Sequence, residues 1–138
     1  MKKVILASHG DLSKGMLHSV SMIVGDLAKQ VETYSLYPGE TPNDYYEKLK
    51  LEISTSTDTY VIVCDVKGGS VHTTLSKLME FENVTILSGM NMSMVLDLLL
   101  NQKEKLETSD YLDLIQNAKN GMSVVSKDSI EVREDEEF

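Results

Sequence analysis

Two short apolar runs constrain this chain more than any other feature. Val4-Ile5-Leu6-Ala7 ends in Ser8-His9-Gly10, and Tyr60-Val61-Ile62-Val63-Cys64 ends in Asp65, with Lys67-Gly68-Gly69-Ser70 close behind. Runs of this length, bounded by polar and glycine-containing turns, read as strands buried on both faces, the mark of a parallel sheet covered by helices. A helical pattern follows each run at once. Right-handed strand–helix–strand crossovers then leave few topologies open.

The rest of the chain fits that scheme. After the first run, Met16, Leu17, Val20, Ile23, Val24 and Leu27 recur at helical spacing, with Asp11 or Ser13 as the cap and Gly25-Asp26 near the end. Val31 to Tyr37 suits a second strand, closed by Pro38-Gly39. Thr41-Pro42-Asn43-Asp44 predicts a helix start, with Thr41 as cap and proline at the first helical position; Tyr46, Leu49 and Ile53 form its apolar row, and Tyr45 and Tyr46 are packing residues. Beyond the second run, Val71, Leu75, Leu78 and Met79 predict an inward helix face. Val84 to Leu87 is a fourth strand, and Asn91 caps a helix bearing Val95, Leu96, Leu98 and Leu99. Thr108 or Ser109 starts a last helix with Leu112 and Ile115 buried and Gly121 as its stop. Met122 to Val125 and Ile130 to Val132 are strand-like and predict a C-terminal edge strand or short hairpin. The expected fold is α/β and three-layered: a mostly parallel sheet of four strands in the order 2-1-3-4, with helices on both faces, plus that C-terminal edge strand. One domain is expected over residues 1–130. Residues 131–138 form an acidic, solvated tail that resembles a natural end.

Charge and cysteine content narrow the function classes. The chain of 138 residues has a formal charge of −9. The last eight residues hold five acids and one arginine and so contribute −4, leaving −5 for the body. With no basic stripe, nucleic acid is not an expected partner. The single cysteine, Cys64, lies inside an apolar run and reads as a buried, inert thiol in a reducing compartment. No secretory signal pattern follows Lys2-Lys3, and no stretch approaches the roughly 20 apolar residues of a membrane span. A cytoplasmic location is the expectation.

The strand order brings the chemistry together. An order of 2-1-3-4 sets strands one and three side by side at a topological switch point, and open α/β sheets bind ligands outside the carboxyl ends of such strands. His9 and Asp65 stand at those two ends. A carboxylate accepting from one ring nitrogen fixes the imidazole tautomer and leaves the other nitrogen as a nucleophile. Gly68-Gly69-Ser70 adds a turn whose backbone N–H groups are able to approach an anion, with a helix start behind it and the Ser70 hydroxyl as cap and donor. Taken singly, each part has a plain reading: a turn histidine, a strand-to-helix loop. Together at adjacent strand ends they point to a site for a phosphoryl group. His18 reads as a partly exposed helix residue, and His72 as an exposed first-turn residue within reach of the crevice. The chain holds neither a GxxxxGK[ST] nor a GxGxxG motif, so nucleotide binding is not indicated. The histidine spacing does not suit a metal site.

The segments VILASHG, VCDVKGGS and SGMNMSMVLDLL resemble the IIA domain of the mannose family of the bacterial phosphoenolpyruvate-dependent sugar phosphotransferase system, and the likeness runs from Val4 to about Val125. The resemblance implies that His9 accepts a phosphoryl group from HPr and passes it to a IIB domain, which phosphorylates the incoming sugar beside the membrane components IIC and IID. It implies Asp65 as the carboxylate partner of His9, Gly68, Gly69 and Ser70 as the phosphate-contacting turn, no metal or other cofactor, and a homodimer that exchanges a C-terminal strand. The chain departs from the family pattern at Val71 and Thr73, where Gly-Gly-Ser-Pro-x-Asn has proline and asparagine, and at Ser93, where Gly-x-Asn-x-Pro-Met has proline. The nearest alternative is the phosphotransfer subunit of a dihydroxyacetone kinase, which also has a histidine after strand one. A chelatase-like metal-binding module would need a second histidine facing His9, and a histidine phosphatase would need an arginine where Ser8 stands.

Overall fold

Alternation along two central strands sorts the core into two faces. In the computed structural model, which describes residues 1–128, β1 (Lys2–His9) and β3 (Thr59–Cys64) pair in parallel with Val4 opposite Val61 and Ala7 opposite Cys64. Side chains alternate across a pleated strand. Val4, Leu6, Val61 and Val63 therefore face one layer, and Ile5, Ala7, Ile62 and Cys64 the other. β2 (Glu32–Leu36) joins the outer side of β1, and β4 (Val84–Ser88) the outer side of β3. The sheet is parallel throughout, in the order β2-β1-β3-β4 expected from the sequence.

Helices cover both faces. α1 (Leu12–Val24), α4 (Met92–Leu100) and α5 (Thr108–Asn120) bury Val20, Met94, Val95, Leu98, Tyr111 and Leu114 on the first face. α2 (Asn43–Ser54) and α3 (Ser70–Leu75) bury Leu49, Ile53, Val71 and Leu75 on the second. Each fully buried aliphatic side chain contributes about 1.5–3 kcal/mol. Tyr45 packs by stacking its ring on that of Tyr34, with centroids 4.1 Å apart.

Several helix faces and ends differ from the sequence expectation. α5 turns Tyr111, Leu114 and Ala118 inward and leaves Leu112 exposed, while Ile115 is half-buried. Apolar residues at 111, 112, 114, 115 and 118 satisfy two helical phases, and packing against α4 selects one. Met79 is exposed because α3 passes into a 3-10 turn at Ser76–Glu80. Three residues per turn keep Leu75, Leu78 and Phe81 inward and carry Met79 to solvent. In α1, Ile23 is exposed, as is Leu27 in the 3-10 turn Gly25–Ala28 that follows, whereas Met16, Leu17 and Val24 pack on the core. α2 begins at Asn43 with Pro42, not Thr41, at the cap position and no side chain capping it, although Thr41 Oγ1 accepts from Asn43 N at 3.4 Å; Asn91 Oδ1 caps α4 by accepting from Met94 N at 2.9 Å. α5 is capped by Glu107, whose N–H donates to Asp110 at 2.8 Å, in place of Thr108 or Ser109. Met122 to Val125 run as exposed, irregular chain. Ile130 to Val132 and the tail at 131–138 lie outside the described residues.

Candidate functional site

β1 outruns its neighbour β3 by two residues, and this brings the two expected groups into contact. Ala7 is the last β1 residue paired with β3, and its carbonyl then accepts from Asp65 N at 3.1 Å. His9 therefore extends past the end of β3 while still paired with Leu36 of β2, and it lies beside the residue that follows β3. One carboxylate oxygen, Asp65 Oδ2, accepts both the His9 backbone N–H and the His9 ring Nδ1, each at 2.8 Å. The other, Oδ1, accepts from Val66 N at 3.0 Å. Burial raises the Asp65 pKa, but the hydrogen bonds from His9 and Val66 outweigh it and hold the carboxyl below its ordinary 3.8. The Asp65 side chain is 9% exposed and the His9 side chain 48%.

This geometry decides the tautomer of His9. A carboxylate only accepts, so Nδ1 bears the proton and Nε2 keeps its lone pair. Nε2 lies 3.2 Å from Ser70 Oγ, which therefore donates to it. Held at both ring nitrogens, the imidazole presents a half-exposed nucleophilic nitrogen at the mouth of the crevice.

The turn around His9 is braced from below. Gly10 takes φ +56°, a conformation costly for other residues, and its N–H donates to Leu36 O at 2.8 Å. Buried Ser8 has its Oγ 2.8 Å from Ser13 N, accepting from it, and donates to Gly10 O at 3.1 Å. Ser8 thus takes the role at the start of α1 that the sequence assigned to Asp11 or Ser13. Asp11 instead accepts from the Tyr37 hydroxyl at 2.5 Å, and Lys14 Nζ donates to the same hydroxyl at 2.7 Å. Tyr37, Pro38 and Leu36 line a groove of about 490 Å³ beside His9.

The glycine turn works differently from its sequence reading. Gly68 N–H donates to His72 Nδ1 at 3.0 Å and Gly69 N–H to Val66 O at 3.2 Å, so both glycine amides are engaged within the turn. Ser70 is the first residue of α3, not its cap; Gly69 holds the cap position and no side chain caps there. What Gly69 supplies is space. A Cβ built on it would lie 2.9 Å from Val66 Cγ1 and 3.3 Å from His9 Cε1. A side chain there would press on Val66 and on the His9 ring, and the ring would have to give by a few tenths of an ångström. Residue types at 68–70 mark the turn, but neither close approach is visible in the sequence. His18 is exposed on α1. Among the described residues, no group of three or more His, Cys, Asp or Glu side chains is placed to hold a metal ion, and no helix is long and apolar enough to cross a membrane.

Comparisons with known proteins give the family and the fold. The family model described as PTS system fructose IIA component, EIIA-man, matches residues 3–116. The sorbose-specific EIIA component of the phosphotransferase system from Klebsiella pneumoniae is 32% identical over 104 residues, 74% of this chain and 76% of that protein. Among solved structures, the phosphotransferase system component EIIA from Streptococcus agalactiae is 26% identical, covers 90% of this chain and 97% of its own, and superposes with a TM-score of 0.76. The mannose/sorbose-specific IIA subunit from Enterococcus faecalis, 22% identical, shares the fold with a TM-score of 0.78 over 91% of this chain and 96% of its own.

Proposed function

This chain belongs to the mannose-family EIIA components of the sugar phosphotransferase system, and from that premise we propose that it is a phosphocarrier in which the phosphoryl group rides on His9 Nε2. The observation that carries the proposal is the 2.8 Å contact between His9 Nδ1 and Asp65, with Nε2 facing Ser70. The Nε2 lone pair attacks the phosphorus of phospho-HPr in line. The bond from phosphorus to its donor atom breaks, and the electron pair of that bond returns to HPr. The ring gains positive charge, which the Asp65 carboxylate balances through Nδ1–H. Phosphoryl transfer is chiefly a matter of such positioning and charge stabilisation. Gly68, Gly69 and Ser70 form the phosphate-contacting wall: the glycines give room beside the ring, and the Ser70 hydroxyl turns from Nε2 to a phosphoryl oxygen. The step is reversed when a IIB domain takes the group, which commits it to sugar uptake through IIC and IID.

In this reading the protein works in the cytoplasm, uses no cofactor, and does not bind nucleic acid. It acts as a homodimer in which a C-terminal strand from one copy lies on the other. A groove of about 600 Å³ along β4, walled by Thr85, Ile86 and Tyr111, supports that arrangement. The test is phosphorylation by phosphoenolpyruvate, enzyme I and HPr. We expect one phosphoryl group per chain, lost in His9→Ala and retained at end point in His18→Ala and His72→Ala. Full labelling of His9→Ala would refute the assignment.

A further inference from the structure

His72 lies three residues beyond Gly69, the cap of α3, at the position where a capping-box Glu or Gln reaches back to a backbone N–H. Here an imidazole takes that part, shifted one residue outward. Its Nδ1 accepts the Gly68 N–H at 3.0 Å. The neighbouring Thr73 holds the same turn from the other side: its Oγ1 donates to Gly68 O at 3.3 Å and its N–H to Gly69 O at 2.8 Å. Gly68 sits at φ +82°, in a turn exposed to solvent, where its N–H would otherwise be left to water. The next two residues face His9: Gly69 leaves the space beside the ring, where a Cβ would lie 3.3 Å from His9 Cε1, and Ser70 Oγ lies 3.2 Å from Nε2.

We infer that His72 is a positioning residue for His9, latching the Gly68–Ser70 turn against the ring through the bond from Gly68 N–H to its Nδ1. The inference rests on the proposed phosphocarrier role. The latch acts through the turn and needs no contact between His72 and the phosphoryl group. It also explains the residue type. An acceptor is required, and a neutral imidazole provides one without placing a carboxylate beside an incoming phosphoryl group, which like charge would repel. The bond fixes the tautomer of His72, with Nδ1 bare and the proton on Nε2.

Two measurements test it. In the unmodified protein at about pH 8, where an ordinary histidine is neutral, nitrogen NMR should show Nδ1 of His72 unprotonated and coupled across the hydrogen bond to Gly68 N. A proton on Nδ1 would overturn the latch. In rapid-quench transfer from phospho-HPr, His72→Phe keeps the ring volume but removes the acceptor. It should transfer about five- to tenfold more slowly, the span expected for one hydrogen bond of this kind. His72→Asn, whose Oδ1 takes the place of Nδ1, should stay within about twofold of wild type. If Phe transfers as fast as Asn, the latch does not position His9. Failure of the wild type to accept phosphate from HPr would instead sink the phosphocarrier reading, and the NMR result would still decide the latch.

Discussion

Replacing Asp65 with asparagine separates charge from geometry at this site. The amide has one acceptor where the carboxylate has two. With its oxygen toward His9, it keeps the bonds from His9 N–H and Nδ1–H and turns its NH2 against Val66 N–H. With the amide flipped, the NH2 meets His9 N–H and forces the ring proton onto Nε2. The first arrangement is favoured, because it keeps both bonds from His9 and sets the clash at Val66, which is 51% exposed, so that water relieves it. Two bonds at 2.8 Å then pass from charge-assisted to neutral, a loss of about 1 kcal/mol each. The half-exposed His9 ring moderates this through solvent screening, so the net cost is about 1–2 kcal/mol. A domain with the usual stability of about 5–15 kcal/mol stays folded. In urea the midpoint should fall by about 0.5–1 M. The carboxylate no longer balances the charge that develops on the ring, so transfer from phospho-HPr should slow by about ten- to a hundredfold, or 1.4–2.8 kcal/mol in the barrier. Equilibrium urea unfolding and rapid-quench transfer, run on the same preparations, check both figures. A variant that loses stability but transfers within about twofold of wild type would show that Asp65 only braces the fold, and the argument from charge would be wrong.

Three further outcomes follow from the same geometry. The stability advantage of the wild type over Asp65→Asn should be full at neutral pH and be lost as pH falls below 3.8, because the folded carboxyl titrates below its unfolded value; an advantage that grows in acid would contradict the bonding described. Gly69→Ala keeps an ordinary backbone at φ −69°, and the half-exposed Val66 is able to rotate away, so stability should change by less than about 1 kcal/mol. The new Cβ nonetheless presses on His9 Cε1, and transfer should slow at least about tenfold, measured against thermal melts of the same samples. Cys64 is fully buried, and burial, with the Asp65 charge adding to it, pushes its thiol up to about 12. Iodoacetamide should modify it only after denaturant is added, and rapid labelling of the native protein would refute that.

The legible part of the site was the part carried by strand ends. Apolar runs that stop at His9 and at Asp65 announce where two buried strands leave the sheet, and the alternation of strands with helices implies that both ends share one edge. The His9–Asp65 contact follows from that topology, as does the glycine turn beside it. The roles of Ser8 as a brace and His72 as an acceptor were not legible, because serine and histidine suit many solvated positions equally well. Only the fold shows which backbone N–H each one meets.

Helix orientation shows the same division. The amino-acid sequence by itself determined the parallel α/β sheet, the positions of its strands and the residues at their carboxyl ends, since period-two and period-3.6 patterns are local properties. Only the tertiary structure decided that α5 buries Tyr111 and Leu114 with Leu112 outside, that Met79 leaves the core in a 3-10 turn, and that Gly68 turns its amide to His72. Where two helical phases are equally apolar, or one amide has several acceptors within reach, packing in the folded chain makes the choice, and no local pattern of residue types records it.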